Sequence, residues 1–323
     1  MSKLKKLTAM ALSVVMVLGL LAGCGDETAS SAASTSEAPA AESTAPAAES
    51  AAPAASDAEA SGAEASAVAD PASYGEDVQA IIDRGVLKVG VKSDVIGFGY
   101  MDPLTNEYSG MEIDLANKLG EYLGVDVEFT TVTAATRGEL LDSGDIDCVM
   151  ATFTITDERK QTWDFTTPYY TDYVSVLVKE SSGIKTLEDL KDKVVGVSSG
   201  STSARSLTNA MIEAGVIDGE GFDPDTFDAS TWTEGVSFKQ YDDYPSISTA
   251  LEADEVDAFC VDKSILAAYK TEGRTYIDAE FSPQEYGIAT TKGSGFSALC
   301  EAKVTEWLSD GTIDELIATY NLG

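Results

Sequence analysis

Residues 140–148 read LLDSGDIDC, and residues 250–258 read ALEADEVDA. The two strings stand 110 residues apart (250 − 140), each between a helical pattern and a short apolar run. A chain that repeats helix, turn, acid and buried strand at that distance is built as two similar α/β lobes with parallel-rich sheets. The flanking pattern agrees. Residues 86–91, VLKVGV, alternate and are β-branched, which predicts a strand. Residues 111–123 carry apolar side chains at helical spacing and stop at Gly124. Residues 125–132 predict the next strand, Thr136-Arg137-Gly138-Glu139 has the form of a capping box opening a helix, and 145–151 predict a buried strand. The order then recurs: strand 194–197, a loop 199–202 entering a helix that ends near Gly215, strand 238–241, a helix start at Tyr244-Pro245-Ser246, and buried strand 256–262. Ligands of such sheets sit at the strand C-terminal ends. The residues there are Lys92, Arg137, those of 152–159, those of 200–202, and Asp262.

Composition removes several classes of function. The formal charge of −34 opposes nucleic acid and anionic lipid as partners. The absence of His deletes Ser–His and Cys–His nucleophile pairs and most zinc sites. Cys148, Cys260 and Cys300 are an odd number at unrelated spacings, so they are expected as buried small side chains rather than a disulfide framework. Residues 213–235 are acidic, but Asp218, Glu220, Asp223, Asp225 and Asp228 do not follow the spacing of a calcium loop, and no metal or cofactor is expected.

The first residues read as a targeting signal. Lys3, Lys5 and Lys6 precede an apolar run over 7–21, and Ala22-Gly23-Cys24 follows. The run is short and flanked as a secretory signal rather than a membrane span. The Cys directly after small residues resembles a bacterial lipoprotein signal, which implies a leader over 1–23, cleavage before Cys24 and lipid on its sulfur. Residues 25–70 are almost wholly Ala, Ser, Glu, Pro and Thr, with no aromatic residue and no Leu or Ile. Such a stretch cannot bury enough apolar surface to order itself, so 24–70 is expected to be a lipidated Cys and a disordered tether of roughly 35–40 Å mean reach.

The stretch 151–170, ATFTITDERKQTWDFTTPYY, carries the most chemistry. Thr156 is an N-cap candidate, with Asp157 and Glu158 in the first helical turn. Hydroxyls, free N–H groups and the Arg159 fork form a receptor for a carboxylate. Arg137 lies at a helix start, where a cation opposes the macrodipole. Two uses fit it: an exposed pair with Glu139 or Asp142, or a third ligand charge to be met. Phe98 and Tyr100 are open between core and ligand contact.

Taken together, several motifs make the chain from about residue 86 onward resemble a solute-binding protein of a polar-amino-acid ABC importer, extracellular family 3. They are Gly90-Val91-Lys92-Ser93-Asp94, Thr136-Arg137-Gly138, residues 151–160, Asp164-Phe165-Thr166-Thr167-Pro168-Tyr169-Tyr170, Gly200-Ser201-Thr202, Val261-Asp262-Lys263-Ser264 and Tyr286-Gly287-Ile288-Ala289. Thr136-Arg137-Gly138, residues 151–160 and Asp262-Lys263-Ser264 are similar to the branch that binds aspartate and glutamate. The resemblance implies an α/β, two-lobed type II periplasmic-binding-protein fold, the Venus flytrap, with two crossover hinge strands. Lobe 1 would be 71–170 with 286–323, and lobe 2 would be 171–285. It also implies that Arg159, helped by Thr154 and Thr202, takes an α-carboxylate, and that Asp262 with the Thr152 carbonyl takes an α-ammonium. Arg137 then meets a side-chain carboxylate; Lys92 assists, and Ser201 and Tyr244 complete the ligand set. The partners implied are an acidic amino acid, the permease and ATPase subunits of the importer, and a membrane reached through the lipid anchor, with the protein itself a monomer.

Two rivals stand beside that reading. One is the same fold binding glutamine, cystine or another polar amino acid, which needs no cation at Arg137. The other is an enzyme on this scaffold using Asp262 with Asp147 or Glu158 as a carboxylate pair. Acids flanked by Arg and Thr donors are expected to ionise readily and to serve poorly as proton donors.

Overall fold

The computed structural model describes residues 70–323; the predicted leader, Cys24 and the low-complexity stretch up to residue 69 lie outside the described residues. The strands are β1 (Val86–Val91), β2 (Asp94–Val95), β3 (Gly99–Met101), β4 (Tyr108–Ser109), β5 (Asp126–Thr131), β6 (Cys148–Met150), β7 (Trp163–Phe165), β8 (Tyr170–Lys179), β9 (Lys193–Ser198), β10 (Val236–Tyr241), β11 (Ala258–Asp262), β12 (Arg274–Tyr276), β13 (Phe281–Tyr286) and β14 (Ala289–Thr291). The helices are α1 (Glu76–Arg84), α2 (Met111–Leu123), α3 (Arg137–Ser143), α4 (Asp157–Thr162), α5 (Ser203–Glu213), α6 (Tyr244–Glu252), α7 (Lys263–Ala267), α8 (Gly295–Ser309) and α9 (Thr312–Thr319).

Two sheets form the two lobes. The first runs β5-β1-β6-β14-β7, parallel through β5, β1 and β6 and antiparallel at β14 and β7. The second runs β10-β9-β11-β8-β12, with β13 also paired to β8. Among the described residues the chain passes between the sheets twice, from β7 into β8 and from β13 into β14, and β8 and β13 pair with each other antiparallel. Those two strands are the crossover pair, in the two-lobed periplasmic-binding arrangement.

The repeated strings have equivalent duties. Asp147 Oδ2 accepts from Lys88 N at 2.8 Å, and Asp257 Oδ2 accepts from Val194 N at 2.8 Å. Each acid pins the start of a central strand to its neighbour, and the next residues are wholly buried because helices cover both faces of such a sheet. Cys148, Cys260 and Cys300 are free and buried. No helix of the described residues is long and apolar enough to cross a membrane.

The capping box expected at Thr136 does not form. Thr136 Oγ1 accepts from Thr133 N at 3.0 Å, Thr133 Oγ1 accepts from Thr136 N at 3.2 Å, and Arg137 N donates to Thr133 O at 3.2 Å. Thr133 competes for the cap one turn early, so the chain is already turning when α3 begins.

Candidate functional site

The first lobe supplies a guanidinium held from behind. Arg137 opens α3, is only 3% exposed, and donates through Nη1 to Ala151 O at 2.7 Å and Thr152 O at 3.1 Å. Its Cζ lies 3.9 Å from the centroid of the buried Phe153 ring. Phe153 packs in turn on Trp163 and Phe165, at centroid distances of 5.6 and 5.1 Å. Trp163 braces α3, donating Nε1 to Asp142 Oδ1 at 2.7 Å. A Cβ at Gly138 would come within 2.6 Å of the indole, so glycine is needed for that approach. Arg137 is therefore neither exposed nor paired with Glu139 or Asp142, which disposes of the blander use. Its Nε is buried without a partner, and burial lowers its pKa while Tyr244 and Asp262 act the other way.

Arg159 is positioned by Thr156, whose hydroxyl accepts from Arg159 N at 3.1 Å as the expected N-cap of α4. Its Nη1 donates to Thr154 O at 2.7 Å, its Nη2 crosses to Gly200 O at 3.1 Å, and its Cζ sits 4.7 Å from the Phe153 centroid. One ring thus carries two guanidiniums. Burial, followed by the like charge of Arg137, depresses the Arg159 pKa. A guanidinium does not release its proton under such pressure; it waits for an anion.

Thr152 joins these groups. Its φ of +44° is left-handed backbone, unusual for a β-branched residue. Its N–H donates to Glu112 Oε1 at 2.6 Å, and Tyr169 Oη donates to the same oxygen at 2.6 Å. Glu112 is fully buried, and its Oε2 has no partner. Burial raises its pKa, while the hydrogen bonds from Tyr169 and Thr152 and the charges of Lys92 and Arg137 lower it. Lys92, 2% exposed, lies with Nζ 4.6 Å from the Tyr244 ring on the other lobe. Burial pulls its pKa down to about 8 against the opposing charge of Asp94.

The second lobe supplies the carboxylate. Asp262 ends β11, is buried, and accepts from Tyr286 Oη through Oδ2. Tyr286 also approaches Asp172 Oδ2 at 3.4 Å, and Asp172 accepts from Tyr173 N at 2.8 Å and Ser264 N at 3.1 Å. Burial and then Asp172 push the Asp262 pKa up to about 7, against Tyr286, Arg137 and Arg159. The expectation of a readily ionised acid is corrected: desolvation outweighs the donors. Both partners that the enzyme rival offers Asp262 are engaged by other residues. Asp147 is bound to Arg84 and the start of β1, and Glu158 pairs with Arg205 at 3.2 Å.

A cavity of only about 10 Å³, about the room a single water needs, is lined by Arg137, Thr152, Thr154, Ser201, Thr202, Ser203, Tyr244, Val261 and Asp262. Arg159 and Lys92 lie beside it rather than in its wall. Besides Arg137 Nε, Thr152 Oγ1 and Ser203 Oγ are buried there without partners, which marks a cavity for a polar occupant. A wider groove along the crossover strands, bordered by Ile96, Tyr173, Tyr276 and Leu322, has charged members already engaged: Asp172 with Ser264, and Lys263 with Glu280.

The site hydroxyls have partners within the protein, and the open assignment of Phe98 resolves. Thr154 and Thr202 both donate to Gln284 Oε1, at 2.9 and 2.7 Å, so with the cavity empty they turn lone pairs toward it. Ser201 Oγ likewise donates to Ser198 O at 2.7 Å. Phe98 is core, packed edge-on to Tyr170 and Tyr286 at 5.0 and 5.7 Å. Sequence reasoning missed Glu112, Phe153, Asp172 and Gln284. Of these only Phe153, an aromatic between Thr152 and Thr154, carried a local signal.

Residues 87–322 match the family model described as bacterial extracellular solute-binding proteins, family 3. The chain is 33% identical over 256 residues to the ABC transporter glutamine-binding protein GlnH of Bacillus subtilis (strain 168), covering 77% of this chain and 85% of that one. It is 30% identical over 267 residues to the glutamate-binding protein GluB of Corynebacterium efficiens, covering 77% and 83%. Among solved structures, an ancestral arginine-binding protein bound to arginine superposes with a TM-score of 0.62 at 32% identity, over 73% of this chain and 98% of that one.

Proposed function

This chain belongs to the bacterial extracellular solute-binding proteins, family 3, and from that premise we propose that it captures an acidic amino acid, glutamate or aspartate, for an ABC importer. The observation that carries the reading is that Arg137, buried, and Arg159, half-buried, share the Phe153 ring and form no ion pair with a protein carboxylate among the described residues. Two desolvated cations call for two anions, and a dicarboxylic amino acid brings two. Its ammonium goes to Asp262, with lone pairs of Thr152, Thr154 and Thr202 within the same cavity wall. The protein binds without chemistry. The ligand enters between lobe 1 (71–170 with 286–323) and lobe 2 (171–285), meets Arg137 and Arg159 on the first, and is enclosed by Thr202, Tyr244 and Asp262 on the second. Docking on the permease then releases it, with ATP hydrolysed on separate subunits. Cleavage before Cys24 and lipid on its sulfur would hold the domain at the outer face of the membrane by a tether.

A second reading, a neutral polar amino acid such as glutamine, is favoured by one observation. Glu112, with Oε2 unpartnered, lowers the surplus positive charge that Arg137 and Lys92 present. Calorimetry of the full chain with glutamate, aspartate, glutamine, asparagine and cystine separates the two. Tightest binding of an acid is expected; tighter binding of glutamine than of glutamate overturns the acidic reading.

A further inference from the structure

Gln284 stands on the crossover strand β13, is 3% exposed, and touches hydroxyls of both lobes. Its Oε1 accepts from Thr154 Oγ1 at 2.9 Å and from Thr202 Oγ1 at 2.7 Å. Its Nε2 donates to Ser282 O at 2.9 Å and Pro283 O at 3.3 Å. The two ends of the amide cannot be exchanged. Carbonyl oxygens only accept, so the NH₂ must face Ser282 and Pro283 and the oxygen must face the hydroxyls. The backbone is bent to bring this about: the register against β8 shifts between Phe281 and Pro283, and Ser282 has φ +49°.

We infer that Gln284 is an inter-lobe latch, a positioning residue whose single amide oxygen ties Thr154 of the first lobe to Thr202 of the second only when the cleft is closed. Opening carries the two threonines apart, and one oxygen on the crossover strand cannot follow both. The latch also fixes what the cavity offers, because both hydroxyl protons are consumed on Gln284 and only lone pairs face the ligand. Other contacts span the cleft, but the Arg205–Glu158 pair has a glutamate side chain 66% exposed and contributes little. The Gln284 bridge is buried, as is the Lys92–Tyr244 contact across the same cleft, and it alone of the two is a pair of neutral hydrogen bonds. It does not depend on the charge of the ligand side chain and so goes beyond the acidic reading.

The test uses the full chain and, as probe, the tightest bound of L-glutamate, L-aspartate, L-glutamine and L-cystine. Q284L is expected to raise the dissociation rate about 30-fold, two hydrogen bonds of about 1 kcal/mol each at 1.4 kcal/mol per tenfold. The association rate should hardly move, and the radius of gyration of the ligand-free chain should increase. T154V/T202V leaves Gln284's own bonds to Ser282 and Pro283 in place. Because it also strips lone pairs that face the ligand, it is judged by the radius of gyration of the ligand-free chain, which must increase as for Q284L. An unchanged radius overturns the latch even if Q284L fails to fold. The double variant should speed dissociation similarly, T154S/T202S should recover most of the loss, and adding Q284L to T154V/T202V should cost little more. A dissociation rate within twofold of wild type in either Q284L or T154V/T202V overturns the latch. So does a Q284L effect undiminished in the T154V/T202V background, which would make Gln284 ordinary hinge packing. A neutral probe would sink the acidic reading and leave the latch standing.

Discussion

Replacing Arg137 with Met removes the guanidinium but keeps an unbranched chain over the Phe153 ring. Arg137 is 3% exposed, so its charge is screened little by water. Stripping one partner from a desolvated ion pair costs about 3–5 kcal/mol, or roughly 150- to 4,000-fold in affinity for glutamate. Glutamine would lose only a hydrogen bond to a charged donor, about 1.5–3 kcal/mol. The preference for glutamate over glutamine should therefore fall by about tenfold or more. R137K keeps a charge without the fork and should lie between. Met also leaves Ala151 O and Thr152 O without their Nη1 donor, so ligand-free thermal unfolding must be recorded beside the calorimetry. The ratio of the two affinities is the diagnostic, because general loosening of α3 weakens both ligands together. Equal losses for glutamate and glutamine would refute the assignment of Arg137 to a side-chain carboxylate.

Binding should weaken as pH falls below 7, because Asp262, with its pKa raised to about 7 in the closed empty cleft, must lose its proton to meet an ammonium. Each pH unit below that point is worth about tenfold, protons should be released into the buffer on binding at pH 6, and a flat affinity from pH 5.5 to 8 would count against the pairing. The same shift makes the ligand-free chain lose stability at this group as pH rises from the ordinary carboxylate range through 7, since the folded form there holds the extra proton. Gly200→Ala should hold the lobes apart, since a Cβ there would stand 2.8 Å from Ala134 O and 2.9 Å from Ala135 Cα at a φ of +73°. Faster ligand dissociation with only about 1–2 kcal/mol lost in ligand-free stability is expected, and an unchanged dissociation rate argues against that contact.

What could be read from the sequence was what neighbouring residues decide. The alternation of 86–91, the stop at Gly124 and the Thr156 cap all depend on residues within one turn or strand, and all appear as expected. The paired strings around Asp147 and Asp257 were legible because the same local problem, starting a central parallel strand, is solved twice. Arg137 could be singled out because it violates a local preference. Glu112 could not. In sequence it is one more acid in the first turn of α2, and its partners Thr152 and Tyr169 lie 40 and 57 residues away. Gln284 reads as a polar residue in an alternating strand, and its partners lie 130 and 82 residues away. The error at Thr136 has the same origin at short range: two threonines three residues apart each fit the role of cap, and only their mutual hydrogen bonds choose between them.

The groups that shape the cavity are costly when it is closed and empty. Burial opposes the charges of Arg137, Arg159 and Lys92, opposes that of Asp262, and leaves Arg137 Nε, Thr152 Oγ1 and Ser203 Oγ without partners. In an open cleft water would satisfy each of them. The free energy that closure loses by desolvating these groups is therefore what a ligand of matching charge restores, and a ligand shifts a two-state equilibrium only by its differential affinity for the two states. The groups are divided between the lobes, with the guanidiniums on the first and Asp262 on the second, so no ligand can satisfy them all without closing the cleft. Closure and selectivity then draw on the same interactions. The neutral bridge inferred at Gln284 would have a separate role: it would steady the closed form without regard to charge and leave the discrimination between ligands to the proposed charged groups, Arg137, Arg159 and Asp262.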